Sequence, residues 1–263
     1  MAIPKNKTKI ICTIGPASEN PQMLEKLILA GMNIARLNFS HGDFTSHKAV
    51  IENIRKASNK TQRRVAIMAD LPGPKMRIGE ISTDVIHLKE DDDFILTTDD
   101  IIGEQHRVSV SFSKLNQVVK PGDWLFLNDG LIRLEVVSIS GNDVLCKVQS
   151  GGELRSRKGL NLPGIDLGIS AFTPHDHECL KFALDHGVDA VSQSFVNDAS
   201  DVVAVRKAAS DHGYTPFIIA KIERSDALEN IDGILSEADG IMVARGDLGV
   251  EIPLEEIAVV QNS

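Results

Sequence analysis

Residues Phe217 to Ala244 read FIIAKIERSDALENIDGILSEADGIMVA. FIIAKI is an apolar run of strand length with a single charge, Lys221, near its end. Asp226 to Ala238 carries a helical pattern, and Gly240 to Ala244 (GIMVA) is a second short apolar run. Two runs of this kind, buried on both faces and separated by a helix, predict parallel strands in an α/β fold.

The alternation extends outward in both directions. Thr8 to Ile14 (TKIICTI) is a strand-like run ended by Gly15-Pro16. Asn20-Pro21 offers a helix cap followed by proline at the first helical position. Leu24, Leu27 and Ile28 recur at helical spacing until Gly31. A strand over Met32 to Phe39 follows, then a helix over Asp43 to Lys60 and a third strand over Val65 to Ala69. Further along, Thr173-Pro174 starts another helix. A strand is expected over Ala190 to Phe195 and a helix from about Asp198 to Gly213.

Between about Pro72 and Ile165 the helical period disappears. Short β-type runs replace it at Val85–Leu88, Phe94–Thr97, Arg107–Val110, Trp124–Leu127, Ile132–Ile139 and Val144–Val148. Turn signals such as Pro121-Gly122-Asp123, Asn128-Asp129-Gly130 and Gly141-Asn142-Asp143 separate them. That texture predicts a small antiparallel barrel or sandwich inserted into the α/β domain. The division is therefore 1–72 and 166–263 for the α/β part and 73–165 for the insertion. Trp124 is expected in the core of the insertion, and Glu90-Asp91-Asp92-Asp93 in a solvated turn.

Bulk composition narrows the classes of function. Lys+Arg 28 against Asp+Glu 37 gives a net charge of −9. With no long basic stripe, nucleic acid is not an expected partner. The N-terminus has no apolar signal region, and no run approaches the ~18 apolar residues of a membrane span. Cys12, Cys146 and Cys179 stand far apart without a CxxC and are read as reduced thiols of a cytoplasmic protein.

Each α/β strand hands over at its C-terminal end to residues capable of chemistry. The second ends in Arg36, Asn38 and Ser40 and the third in Asp70. The fourth carries Ser192 and Ser194, the fifth Lys221 and Glu223, and the sixth runs into Arg245, Gly246 and Asp247. In a (β/α) barrel these ends converge on one face, which holds the active site. Glu223 and Asp247 come from neighbouring strands, whose axes lie about 5 Å apart. Two hard carboxylates at that separation suit Mg²⁺, and no His/Cys cluster competes for a softer metal. Arg36, Lys221 and Arg77 supply positive charge for an anionic substrate, so the face is expected to handle phosphates or carboxylates. His41 lies near the site; His175, His177, His186 and His212 are expected to be capping or exposed residues.

Several strings also resemble a known family. Gly31–Gly42 reads GMNIARLNFSHG, Gly159–Gly164 reads GLNLPG, Lys221–Glu223 reads KIE, and Gly240–Pro253 reads GIMVARGDLGVEIP. In order and spacing they resemble pyruvate kinase over essentially the whole chain. The resemblance implies a partial (β/α)₈ TIM barrel, interrupted after its third strand by a mobile β-barrel lid. It implies phosphoryl transfer from phosphoenolpyruvate to ADP, giving pyruvate and ATP, with Mg²⁺ (or Mn²⁺) as cofactor and a homotetramer for the full-length enzyme.

By the same resemblance, Glu223 and Asp247 look like the metal ligands and Gly246 like a backbone contact to substrate. Lys221 looks like the group that steadies the transferring phosphoryl and the developing enolate, Arg36 like the substrate-phosphate contact, and Ser194 like pocket lining. Arg77 and Lys158 look like nucleotide-phosphate ligands. Family members bind K⁺ through positions matching Asn38, Ser40, Asp70 and Leu71, with a glutamate in the following Gly-Pro-Glu. Here that segment reads Gly73-Pro74-Lys75, as in a K⁺-independent subgroup whose lysine ammonium takes the cation's place. Activity without K⁺ is the expectation.

Relative to the family pattern, the chain stops at Ser263, just inside the helix after strand six. By that pattern the last two βα units and the C-terminal domain fall outside the chain, as expected of a fragment or a truncated reading frame of a longer enzyme. Little turnover is expected of the isolated chain, with exposed edges on strands one and six. Two other readings stand beside this one: a non-catalytic pyruvate-kinase-like binding chain, and a Mg²⁺-dependent lyase on a related phosphoenolpyruvate barrel. An ADP lid carrying Arg77 and Lys158 argues against the lyase.

Overall fold

A computed structural model of the chain describes residues 7–262. In chain order the elements begin with β1 (Ile10–Thr13), α1 (Pro21–Ala30), β2 (Met32–Asn38), α2 (Phe44–Thr61) and β3 (Ala66–Leu71). A β-rich segment follows: β4 (Ile86–Leu88), β5 (Asp93–Thr97), β6 (Arg107–Ser109), α3 (Leu115–Val118), β7 (Trp124–Leu127), β8 (Ile132–Ser140), β9 (Asp143–Ser150), β10 (Gly152–Leu154) and β11 (Leu160–Asn161). Then come α4 (Pro174–Asp185), β12 (Ala190–Gln193), α5 (Ala199–Asp211), β13 (Phe217–Ile222), α6 (Ser225–Glu229), α7 (Ile231–Glu237), β14 (Gly240–Val243), α8 (Arg245–Glu251) and α9 (Leu254–Asn262).

These elements fall into two compact units. The first holds the chain up to Pro74, Ser170–Ile222 and Asn230–Met242; the second holds Lys75–Ile169, Glu223–Glu229 and the chain from Val243 onward. The sheet of the α/β part has the order β1-β2-β3-β12-β13-β14. Its β1–β2, β2–β3, β3–β12 and β12–β13 pairs are all parallel. Sequential strands lie side by side with helices between them, which is six strands' worth of a (β/α) barrel. Among the described residues β1 and β14 are its edges, and β1 exposes Ile10 and Ile11.

Local chemistry explains the helix boundaries. The Asn20 side chain accepts from Met23 N at 2.9 Å, Pro21 sits at the first turn, and Gly31 closes α1 in the left-handed region at φ 119°. Asp43 and Ser46 form a reciprocal capping box at the start of α2, and Thr173 and Asp176 form another at the start of α4. The helix expected over Asp226–Ala238 is broken in two. Asn230 lies between α6 and α7, and its side-chain amide donates to Asn197 O at 3.2 Å.

The second unit has a six-stranded sheet, β11-β7-β8-β9-β5-β6, and a two-stranded β10–β4 pair. Its core runs through Phe94, Leu96, Leu125, Leu127, Leu134 and Val148, among others. Burial of each such side chain stabilises the fold by about 1.5–3 kcal/mol. Trp124 does not belong to this core: it is 44% exposed, whereas Leu125 and Leu127 are fully buried. The two-residue period of β7 turns Leu125 and Leu127 to the same face and Trp124 to the other. The turn nature of Glu90–Asp92 holds, with Asp93 starting β5. β10, β11 and α3 were not expected from the sequence; at two to four residues each, they are too short to show a period.

Among the described residues no helix is long and apolar enough to cross a membrane. All three cysteines are free, with Cys146 and Cys179 buried. Burial pushes both of these thiols up to about 12.

Candidate active site

The site of the first unit follows from strand register. Ile34, Met68, Ala190, Ile219 and Met242, one each from β2, β3, β12, β13 and β14, pack into a single apolar layer. Side chains two residues apart on a strand share a face. Two residues further along the first four strands stand Arg36, Asp70, Ser192 and Lys221. The ladder is staggered, as strand tilt in a barrel requires: Asp70 pairs with Ser192 and Asn38, Arg36 pairs with Met68, and Ser192 pairs with Ile219. A polar layer thus lies directly on an apolar one, at the strands' C-terminal ends.

Asp70 is the hub of that layer. It is 2% exposed, and its Oδ2 accepts from Arg36 Nε at 2.9 Å and from Arg36 Nη2 at 2.5 Å. Its Oδ1 accepts from Ser192 Oγ at 2.7 Å and stands 3.4 Å from Lys221 Nζ. Lys221 in turn donates to Ser194 Oγ at 2.8 Å. Two cations therefore share one carboxylate in a largely desolvated layer. Low solvent access makes charge interactions there stronger than the same interactions in water.

The loop after β2 is ordered from the same strands. Phe39 N donates to Asp70 O at 3.0 Å, and Ser40 N donates to Asn38 Oδ1 at 2.9 Å. His47 Nε2 meets His41 O at 2.9 Å, and the His47 ring stacks on Phe39 with centroids 4.2 Å apart. Arg36, Asn38, Ser40, Asp70, Leu71, Ser194 and Lys221, drawn from four strands, are thereby gathered in one unit.

The remaining site candidates belong to the second unit. Arg77 and Lys158 lie far apart in sequence yet side by side in space. Arg77 bridges Gly159, and Ile78 N donates to Lys158 O at 2.9 Å. The Arg77 guanidinium is aimed along this ladder by its bond to Arg157 O at 2.9 Å. Lys75 is exposed at the first position of the unit.

Glu223 is 2% exposed and directly follows β13, while Asp247 is exposed in the first turn of α8. β13 and β14 are neighbours. Asp247 is nevertheless carried by a helix rather than a strand end, because the chain turns into α8 at Arg245. Gly246 lies in that same first turn.

Among the described residues there is no group of three or more His, Cys, Asp or Glu suited to a metal ion. Glu223 and Asp247 are hard carboxylates, the ligand type that Mg²⁺ takes. That ion takes one or two carboxylates and completes its octahedron with water and substrate oxygens, so a third protein ligand is not required.

Sequence reasoning placed Ser192 at a strand end without giving it a task, and assigned Asp70 only to a cation region. The two-residue period of β3 and β12 gives the face of each residue, but the pairing follows from inter-strand register, for which the sequence carries no signal.

The parallel strand order, with helices between the strands, defines a partial (β/α) barrel. A family model described as the pyruvate kinase barrel domain matches residues 5–263. A pyruvate kinase of Thermococcus litoralis is 48% identical over 262 residues, covering 100% of this chain and 55% of the relative. Those of Staphylococcus saprophyticus and Mycobacterium intracellulare are 45% and 44% identical, each over 97% of this chain and over 44% and 54% of the relative. The chain belongs to the pyruvate kinase family. It spans about half the length of the curated relatives it matches.

Proposed function

We propose that the chain is the substrate-holding part of a pyruvate kinase, an enzyme moving a phosphoryl group from phosphoenolpyruvate to ADP to give pyruvate and ATP. The observation that carries this reading is the Arg36–Asp70–Lys221–Ser194 cluster on the C-terminal ends of adjacent parallel strands. Phosphoryl transfer needs positioning and charge neutralisation more than covalent help. Arg36, locked by Asp70 through Nε and Nη2, has only a 3.4 Å contact to Thr13 Oγ1 on Nη1 and turns that nitrogen to the substrate phosphate. Lys221 supports charge on the phosphoryl oxygens and the enolate oxygen, with Ser194 holding its ammonium and Gly246 contributing a backbone contact. Glu223 and Asp247 hold the divalent ion, which when bound neutralises phosphate charge.

Arg77 and Lys158 are the nucleotide-phosphate contacts on residues 73–165, the lid between barrel segments 1–72 and 166–263. Lid closure excludes water, so that the phosphoryl group meets ADP. Asn38, Ser40, Asp70 and Leu71 form the monovalent-cation region, with Lys75 supplying the fixed positive charge in place of K⁺.

The test is a calorimetric titration of the chain with phosphoenolpyruvate and Mg²⁺, using tetramethylammonium as the monovalent ion, beside an assay for ATP formed from added ADP. Saturable Mg²⁺-dependent binding is expected, weakened at least about tenfold by Arg36→Ala or Lys221→Ala, as loss of a charge-assisted contact implies. Binding that ignores both substitutions, or that requires K⁺, rejects the reading.

A further inference from the structure

The chain leaves the first unit after Pro74 and re-enters it at Ser170. Both links are held, on the first unit's side, by fully or almost fully buried aspartates. Asp176, 0% exposed, accepts from Gly73 N at 2.9 Å through Oδ1. Its Oδ2 accepts from Thr173 N at 2.8 Å and Thr173 Oγ1 at 2.5 Å. Asp201, 3% exposed, accepts from Ser170 Oγ at 3.0 Å and Ala171 N at 2.8 Å through Oδ1. Its Oδ2 accepts from Asn197 N at 2.9 Å and Asn197 Nδ2 at 3.2 Å. Each aspartate sits in the first turn of a helix, α4 or α5, where an acidic residue is favourable in any case. Capping needs only local donors, however. The bond to Gly73 spans 103 positions of sequence and that to Ala171 spans 30.

The two links also meet at the end of β12. Gln193, 0% exposed, donates through Nε2 to Ala171 O at 2.8 Å and to Ser194 O at 3.1 Å. Its Oε1 is buried without a partner, a cost that a merely space-filling side chain would avoid. Gly73, at φ +66°, lies against the same Ser194 carbonyl so closely that a Cβ there would stand 2.8 Å from the oxygen. Phe195 follows in the left-handed region at φ 57°, where a bulky side chain is strained. The hydroxyl of Ser194 is the acceptor of Lys221.

We propose that Asp176, Asp201 and Gln193 are positioning residues that seat both links of the β-rich insertion on the end of β12. Seating both links fixes Ser194, and through it one of the contacts of the Lys221 ammonium, which Asp70 also faces at 3.4 Å. The inference rests on Lys221 being the group that faces the phosphoryl. Its test needs neither ligand nor turnover, so failure of the kinase reading and failure of this one are separate results.

Hydrogen–deuterium exchange on the chain is the first measurement. The amides of Gly73 and Ala171 are expected to exchange as slowly as those of β3, unlike those at the Gly141–Asn142 turn. In Asp176→Asn and Asp201→Asn, the new NH₂ group must face a donor. Exchange at Gly73 or Ala171, respectively, is expected to rise about tenfold with loss of that charge-assisted bond.

The second measurement is labelling of lysines by a small amine-reactive reagent, read by mass spectrometry. Lys221 labelling is expected to rise about threefold or more in all three variants, including Gln193→Ala, with exposed Lys207 unchanged as the control. Lys221 labelling at the wild-type rate in every variant overturns the proposal and leaves the aspartates as helix caps. Fast wild-type exchange at Gly73 and Ala171 overturns it as well. Should an aspartate variant fail to fold, wild-type exchange and Gln193→Ala labelling decide.

Discussion

His47 illustrates how one side chain ties loop geometry to solution conditions. It is half-buried against Phe39, and its Nε2–H donates to the carbonyl of His41, next to Ser40. Burial pushes its pKa below the ordinary value of 6.5, against smaller upward effects from the His41 carbonyl and Asp43. The unfolded chain therefore takes up this proton at a higher pH than the folded one. The stability it contributes is complete above about pH 6.5 and is lost as pH falls toward the folded value. His47→Gln is expected to flatten the fall in urea midpoint between about pH 7 and 5. An unchanged slope would show that other groups carry it. At the same scale Asp70 shows why a residue's role is not set by its type: a carboxylate in a proposed cation region is already engaged by Arg36 and Ser192.

Elements were most legible where a local cap and a long period agreed. α1 begins and ends where Asn20-Pro21 and Gly31 place it, because all three act through their own backbone. Asn20→Ala is expected to lower stability by about 1 kcal/mol, with Asn20→Asp close to neutral, as read from denaturation midpoints. Equal losses in both would mean that the cap bond to Met23 N is not what stabilises the helix start. Legibility failed elsewhere. At Asn230, which bonds to Asn197 O, a segment that reads as one helix divides into α6 and α7. Trp124 faces outward because strand alternation overrides the general tendency of large apolar residues to be buried.

At the scale of the whole molecule, the consequence of an open sheet is exposed edge. β1 presents Ile10 at 51% and Ile11 at 41% exposure on a strand paired only with β2 among the described residues. Sedimentation velocity is expected to show concentration-dependent self-association of the chain, reduced by Ile11→Lys, since an edge charge discourages further strand pairing. A monomer at all concentrations would show that the edge is protected. Arg36 and Lys221 belong to one unit, where strand order and their shared partner Asp70 organise them, and Arg77 and Lys158 belong to the other. The second group is organised by the bridge from Arg77 to Gly159.

The amino-acid sequence by itself determined the βα alternation, the β-rich insertion and the placing of charged residues at strand ends. Period, caps and turn residues act over a few neighbours and can be read from a string. The pyruvate kinase family was visible there too, in GMNIARLNFSHG and GIMVARGDLGVEIP. Only the tertiary structure decided that Asp70 serves two cations, that Asp247 arrives on a helix, and that Asp176 and Asp201 hold the links of the insertion. Those facts depend on register between strands and on contacts between residues as far apart in sequence as Asp70 and Lys221. No local pattern encodes a partner that distant.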